Sequence, residues 1–215
     1  RLASGRNCGM NIPTSLFASV STGENLVLPD ADLLLIGQFL DPISSACMFK
    51  DLLEQTPWRQ DAIRMHGRLL PVPRLQAWYG EAHAKYGYSG LQLDPLPFTP
   101  LLLQLKEHVQ ETVGHKFNSV LLNQYRNGSD SVSWHSDDET ELGADPLIAS
   151  VSLGCERRFE LKHRSRKELK KLTLPLTDGS LLFMGKGVQQ HWLHQIPKQP
   201  GVVEVRINLT FRLID

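Results

Sequence analysis
The sequence predicts an α+β chain that is mainly β: a double-stranded β-helix, or jelly roll, with two supporting helices on one outer face. Three observations carry that expectation. Residues 117–213 break into eight short runs of strand pattern separated by turn residues, the spacing of a double-sheet β architecture. Ahead of them, Asp41-Pro42 and Thr99-Pro100 each pair an N-cap residue with a following proline, the usual opening of a helix. The last run alternates Val205, Ile207, Leu209, Phe211 and Leu213 with Arg206, Asn208, Thr210 and Arg212, so a single strand carries an apolar face and a cationic one.

Taken in order, residues 1–27 are rich in Ser, Gly and Asn without periodicity and read as a poorly ordered extension. The remainder, 28–215, is long enough for one domain with one sizeable core. The apolar run 33–36 suits a buried strand. A first helix follows Asp41, with Ile43, Ala46, Cys47, Lys50, Leu53 and Glu54 at helical spacing, and stops near Thr56-Pro57. It is expected to pack outside a sheet. Residues 58–93 are irregular and dense in aromatic and basic side chains: Trp58, Arg59, Arg64, His66, Arg68, Arg74, Trp78, Tyr79, Tyr86 and Tyr88. Aromatics that stack on bases beside cations that meet phosphates are one reading; short strands with core aromatics and solvated arginines are the other. A second helix carries the stripe Leu102, Leu105, Val109 and Val113 and ends at Gly114. Residues 28–116 thus hold the helices and a candidate nucleotide-recognition region. The jelly-roll core occupies 117–215, with strands at 117–125, 131–135, 147–153, 158–162, 172–176, 180–184, 192–196 and 203–213. Asn127-Gly128 supplies the first turn.

Composition narrows the setting. Lys plus Arg and Asp plus Glu are 23 each, so net charge gives no general attraction to a polyanion, although a local basic patch remains open. Cys8, Cys47 and Cys155 are odd in number and widely spaced, which argues against a disulfide framework and for a reducing compartment. Neither a bilayer-spanning run nor a signal peptide is evident. The expectation is an intracellular protein, cytoplasmic if bacterial and nuclear if eukaryotic, with no membrane and no obligate protein partner.

The candidate chemistry starts at His135 and Asp137. In extended chain their spacing points both side chains to one side, and an imidazole with a carboxylate is half of a metal site. A 2-His-1-carboxylate triad with open positions suits non-haem Fe(II) oxygenases, so a distal histidine is required, and His191 and His194 both qualify. Alone, His-x-Asp is a common pattern. Its flanks add to it: Asn123 and Tyr125 share a strand face, and an amide and a phenol there can hydrogen-bond an anion. Arg206 and Arg212 lie about 20 Å apart along their strand. If that face lines a cavity, at least one of them needs a bound carboxylate.

As an ordered set, these residues resemble the AlkB family of Fe(II)- and 2-oxoglutarate-dependent dioxygenases, nearest the AlkB homologue 2 and 3 subgroup. The matching pieces are Asn123-x-Tyr125 with Gly128 and Asp130, His135-x-Asp137-Asp138-Glu139, the segment 146–154, His194, and Arg206-x-Asn208-Leu209-Thr210-Phe211-Arg212. Weaker similarity continues upstream through Pro73-Arg74 and Tyr79-Gly80. The resemblance implies Fe(II) on His135, Asp137 and His194, with His191 a structural neighbour. It implies that Arg206, assisted by Asn123 and Tyr125, pairs with the far carboxylate of 2-oxoglutarate, and that Asn208 and Arg212 sit nearer the metal. Three open iron positions would take 2-oxoglutarate twice and O2 once, and manganese, cobalt or nickel can replace iron.

The activity implied is demethylation of 1-methyladenine and 3-methylcytosine in DNA, single-stranded by preference, with succinate and formaldehyde as products. By the same resemblance Tyr86 and Tyr88 lie near the base, which stacks between an aromatic and His194, and Asp138 or Glu139 meets the cationic ring. Trp78 and Trp134 are expected in the core. The segment 65–67 matches a duplex-invading finger that carries Phe in some relatives; His66 there favours single strands. Arg74, Arg164, Arg166 and Lys167 are candidate backbone contacts, the last three within a cationic run that also holds Arg157, Arg158, Lys162, Lys170 and Lys171. That run is either a phosphate site or a solvated hairpin. The same chemistry on RNA, and a non-catalytic metal-binding jelly roll, are the competing readings.

Overall fold
The computed structural model describes residues 23–214 apart from 66, 67, 83, 85, 89, 90 and 94, and the side chains of 63–65, 68, 86–88 and 91–93 are likewise outside the description. The chain enters through an antiparallel hairpin, β1 (Glu24–Leu28) and β2 (Ala31–Ile36), with Asp30 at φ 62° in its turn. Residues 24–27, which the sequence placed in the extension, therefore belong to the sheet; residues 1–22 lie outside the described residues. The apolar run 33–36 is the inner part of β2, with Leu33 and Ile36 buried.

Asp41 caps α1 (Pro42–Gln55), its carboxylate accepting from the amides of Ile43 and Ser44. The buried face is Ser44, Ser45, Met48 and Leu52, and Ile43 at the head of the expected stripe is 72% exposed. The face is turned because Ser45 has an interior partner: its Oγ donates to Asp178 Oδ1 at 2.5 Å, so a polar residue goes inward satisfied.

The region 58–93 resolves into a hairpin of β3 (Ala62–Met65) and β4 (Arg68–Pro71), an edge strand β5 (Leu75–Gly80), and a hairpin of β6 (Tyr86–Tyr88) and β7 (Leu91–Leu93). Trp78 and Tyr79 are buried. Helix α2 (Pro100–Val113) begins as expected, Thr99 Oγ1 accepting from Leu102 N at 3.2 Å, and ends at Gly114 with φ 67°. Its buried face is the expected Leu102, Leu105 and Val109, joined by His108, whose ring stacks on Phe39 at 4.5 Å.

Each of the expected strands beyond 117 forms: β8 (Ser119–Tyr125), β9 (Val132–His135), β10 (Ile148–Gly154), β11 (Arg157–His163), β12 (Leu172–Leu176), β13 (Ser180–Met184), β14 (Trp192–Ile196) and β15 (Arg206–Arg212), with the one-turn helix α3 (Val188–His191) before β14. They divide between two antiparallel sheets, alternating except for the β11-β12 hairpin. The larger runs β1-β2-β13-β10-β15-β8-β5 and the smaller β12-β11-β14-β9. This is the jelly roll, extended at both edges of one sheet by the N-terminal strands. No helix among the described residues is long and apolar enough to cross a membrane.

Two cores follow from the two-faced strands. On the outside of the larger sheet, Ile207, Leu209 and Phe211 of β15 pack with Met48 and Leu52 of α1 and Leu102, Leu105 and Val109 of α2. Between the sheets lie Tyr125, Ile148, Phe159, Leu161, Leu182 and Ile196. With its apolar face given to the helices, β15 turns its polar face inward, and all seven of its residues are buried.

Strand β9 contains the irregularity that matters most. His135 pairs with His194 and Val132 with Ile196, with a register shift between the two pairs. Ser133 and Trp134 thus stand opposite the single residue Gln195, a β-bulge. In a regular strand, positions 132 and 135 would face opposite ways; here both line the same interior cavity.

Candidate active site
The bulge, the loop after β9 and strand β14 bring His135, Asp137 and His194 together, with one ligand atom of each within 4.8 Å of the others. His194 Nε2 lies 3.6 Å from Asp137 Oδ2, and the two imidazole centroids are 4.3 Å apart. His135 Nδ1 lies 2.8 Å from the Ser133 carbonyl. A carbonyl can only accept, so Nδ1 carries the proton and Nε2 presents a lone pair. Burial, seconded by His194, pushes the His135 imidazole down to about 4, which keeps it neutral and able to ligate. Burial alone would raise Asp137, yet Arg212 and the two histidines hold its carboxyl well below the usual range. Arg212 bonds directly to Asp137 Oδ1, and Gln189 Oε1 accepts from the Asp137 amide at 3.0 Å. This donor set of two imidazoles and one ionised carboxylate fits a divalent transition metal.

The opposite end of the inward face of β15 fits an anion. Arg206 is 1% exposed, donates to Ser152 Oγ at 2.9 Å and lies 5.2 Å from the centroid of the Tyr125 ring. Its Nε and Nη1 are buried with no hydrogen-bond partner among the described residues. Burial pulls its guanidinium down to about 10. A buried cation in this state is costly unless a carboxylate joins it. Asn123 stands nearby on the cavity wall. Its Oδ1 accepts from Arg74 Nε at 2.7 Å and Gln76 Nε2 at 3.0 Å, so the amide is oriented with Nδ2 as its remaining donor. Asn208 Nδ2 donates to Ser150 Oγ at 2.9 Å, which fixes that side chain between the two ends.

Several expected roles find no support in this geometry. Arg74 is 6% exposed and spent on Asn123, inside rather than on a phosphate-facing surface. Asp138 points away from the cavity, because neighbours in extended chain face opposite sides. It bonds to Ser136 Oγ and to Arg164 Nη2, 2.7 Å away. Neither Asp138 nor Glu139 is among the described residues lining the metal cavity. His194 is 3% exposed and its ring stacks on Phe159 at 5.3 Å, whereas His135 is the more open imidazole. Trp134 is not a core residue but stands half-buried with Lys162 Nζ 4.3 Å from its ring centroid. Three of the eight cations in the run pair with acids, Arg164 with Asp138, Arg166 with Glu168 and Asp30, and Lys171 with Glu160, while Arg158 and Lys170 are exposed. Arg157 is buried and donates to the carbonyls of Asn127, Asp130 and Pro197. Lys167 is exposed. His191 is not part of the metal-ligating group. The side chains of Tyr86 and Tyr88, and His66, lie outside the described residues.

Three contributors were missed. Gln76 orients Asn123, Gln189 holds the Asp137 backbone, and Asp61 lines the cavity. Gln76 follows Arg74 at strand spacing and is legible in hindsight; the other two depend on tertiary closure.

The family model of the 2OG-Fe(II) oxygenase superfamily matches residues 32–212. Alpha-ketoglutarate-dependent dioxygenase alkB homolog 3 of Bos taurus is 41% identical over 184 residues, covering 82% of this chain and 64% of the relative. The chain thus spans a little under two thirds of that protein. DNA oxidative demethylase ALKBH2 of Mus musculus is 39% identical over 176 residues, covering 78% of this chain and 74% of the relative. A solved structure of OsALKBH1 superposes over 89% of this chain and 100% of its own with a TM-score of 0.59 and 15% identity, a likeness of fold.

Proposed function
We propose, on the footing that the chain belongs to the AlkB family within the 2OG-Fe(II) oxygenase superfamily, that it is an oxidative demethylase of N-methylated bases in DNA. Its substrates would be 1-methyladenine and 3-methylcytosine in single strands. One observation carries this reading: His135, Asp137 and His194 converge at one end of an interior whose other end holds the buried, carboxylate-free Arg206. The three ligands would hold Fe(II). Arg206, with Tyr125 and Asn123, would receive the far carboxylate of 2-oxoglutarate.

When bound, iron and 2-oxoglutarate would supply dioxygen activation, coupling loss of CO2 from 2-oxoglutarate to succinate, which keeps one oxygen atom, with insertion of the other into a methyl C–H bond. The N-hydroxymethyl base would then release formaldehyde, the ring nitrogen keeping the electron pair of the broken C–N bond and the hydroxyl proton passing to solvent. This chain's residues serve that chemistry by position and charge. Arg212 keeps Asp137 ionised, Ser133 fixes the His135 tautomer, and Gln189 anchors the backbone of Asp137. Asn208 is held by Ser150 where it adds a polar group to the wall.

The test is turnover on matched oligonucleotides carrying 1-methyladenine or 3-methylcytosine, as single- and double-stranded DNA and as RNA, with Fe(II) and 2-oxoglutarate. Succinate and formaldehyde in equal amounts, fastest with single-stranded DNA, are expected. Products from RNA alone would reassign the substrate. Metal binding with no product from any of them would leave a non-catalytic jelly roll.

A further inference from the structure
We infer that Asp61 is a specificity-determining residue that reads the positive charge of the methylated base, an inference that deepens the demethylase reading and rests on it. Asp61 immediately precedes β3 and lines the same cavity as His135 and Asn123. Its carbonyl accepts from Val72 N at 2.8 Å. That bond closes the base of the β3-β4 hairpin and sets residues 61 and 72 together on the cavity wall.

The cavity needs a carboxylate for recognition, and the choice among described residues is narrow. Asp137 also lines it, but is committed to Arg212 and the imidazoles. Asp61 is the other acidic side chain among the described lining residues. Its partner is Arg59, whose Nε stands 3.2 Å from Oδ1; the side chains are 51% exposed for Arg59 and 15% for Asp61. A pair so open on the arginine side is screened and weak. It leaves the Asp61 carboxylate open to a second cation from within the cavity.

The ligand chemistry follows. A methyl group on N1 of adenine or N3 of cytosine fixes a positive charge on the ring and leaves an exocyclic N–H beside it. The unmodified bases are neutral near pH 7. A carboxylate in the wall of the pocket therefore favours the lesion, both by charge and by a charge-assisted hydrogen bond from the exocyclic nitrogen. A neutral N-methyl lesion such as 3-methylthymine gains neither.

The experiment compares wild type, Asp61→Asn and Arg59→Gln, each loaded with Fe(II) and 2-oxoglutarate under exclusion of oxygen. Binding is read by fluorescence anisotropy on labelled single strands carrying one 1-methyladenine, one 3-methylthymine or no lesion. Wild type should favour 1-methyladenine over both others. Asp61→Asn should lose roughly tenfold or more on 1-methyladenine, the worth of a charge-assisted hydrogen bond, with the other two affinities unchanged. Arg59→Gln should keep the preference or increase it, and this variant decides the matter if Asp61→Asn melts early. Equal weakening of all three strands by Asp61→Asn, a preference surviving it, or a preference lost in Arg59→Gln would each overturn the role of Asp61 while leaving demethylation standing. A wild type that neither discriminates nor turns over would remove the demethylase reading itself.

Discussion
Arg206 has a hydroxyl and an aromatic ring beside it and no carboxylate among the described residues, so its charge waits on a ligand. Arg206→Gln should weaken 2-oxoglutarate binding about a hundredfold or more, the cost of breaking a buried charge pair. Arg206→Lys should recover only part of it, since an ammonium lacks the planar fork; calorimetry with Mn(II) in place of iron reads both. Asp130 sets a different sensitivity. Burial alone would raise its carboxyl, but the side-chain and backbone bonds with Arg126 win and hold it below its ordinary 3.8. A carboxyl lowered in the folded state adds stability that is present above the unfolded value and lost as pH falls through the folded one. Urea titrations should therefore show wild type more stable than Asp130→Asn by a constant margin above about pH 5, and the margin shrinking below about pH 4.

At the scale of elements, the bulge in β9 sets how His135 meets the metal. The bulge absorbs one residue too many, so deleting Ser133 should restore regular pairing and leave Val132 and His135 two apart on the same inward face. The expected outcome is a folded protein with unchanged far-ultraviolet circular dichroism that still binds Mn(II) in a calorimetric titration, more weakly for want of the Ser133 carbonyl that fixes the His135 tautomer. Such a bulge is invisible in one strand's residues, because register belongs to the pair and Gln195 is far away in sequence. The strands of the jelly roll were legible because period-two alternation and turn residues are local signals. Helix α2 was legible for the same kind of reason, its stripe being apolar throughout. In α1 the stripe was displaced because Ser45 finds Asp178 across the fold. The metal triad and the arginines could be placed by ordered resemblance. Asp138 could not: adjacency in sequence suggested one site, and extended backbone sends neighbours apart. Asp61 and Gln189 carried no local mark, since only closure of the hairpin and of α3 brings them to the cavity.

Across the whole molecule, ligands that bind only the folded state add stability in proportion to the logarithm of their concentration. Mn(II) and 2-oxoglutarate, at about a hundred times their dissociation constants, should each add about 2.7 kcal/mol, which for a chain of this length raises Tm by roughly 5–10 °C apiece. Thermal scans with each ligand singly and together check it, and His194→Ala should abolish the metal's share. Strand β15, flanked on both sides within the larger sheet, belongs to two assemblies at once: its apolar side fills the layer under the helices and its polar side furnishes the reaction chamber. Evolution along 206–212 is therefore constrained in two alternating currencies. Replacement at 207, 209 or 211 should diminish soluble yield, whereas replacement at 206, 208 or 212 should yield intact but inert protein. A saturation library sorted separately for abundance and for turnover would display the two penalties as a comb of period two. No insertion of a single residue could be tolerated anywhere within it, because shifting the comb by one tooth exchanges every lining side chain for a packing one.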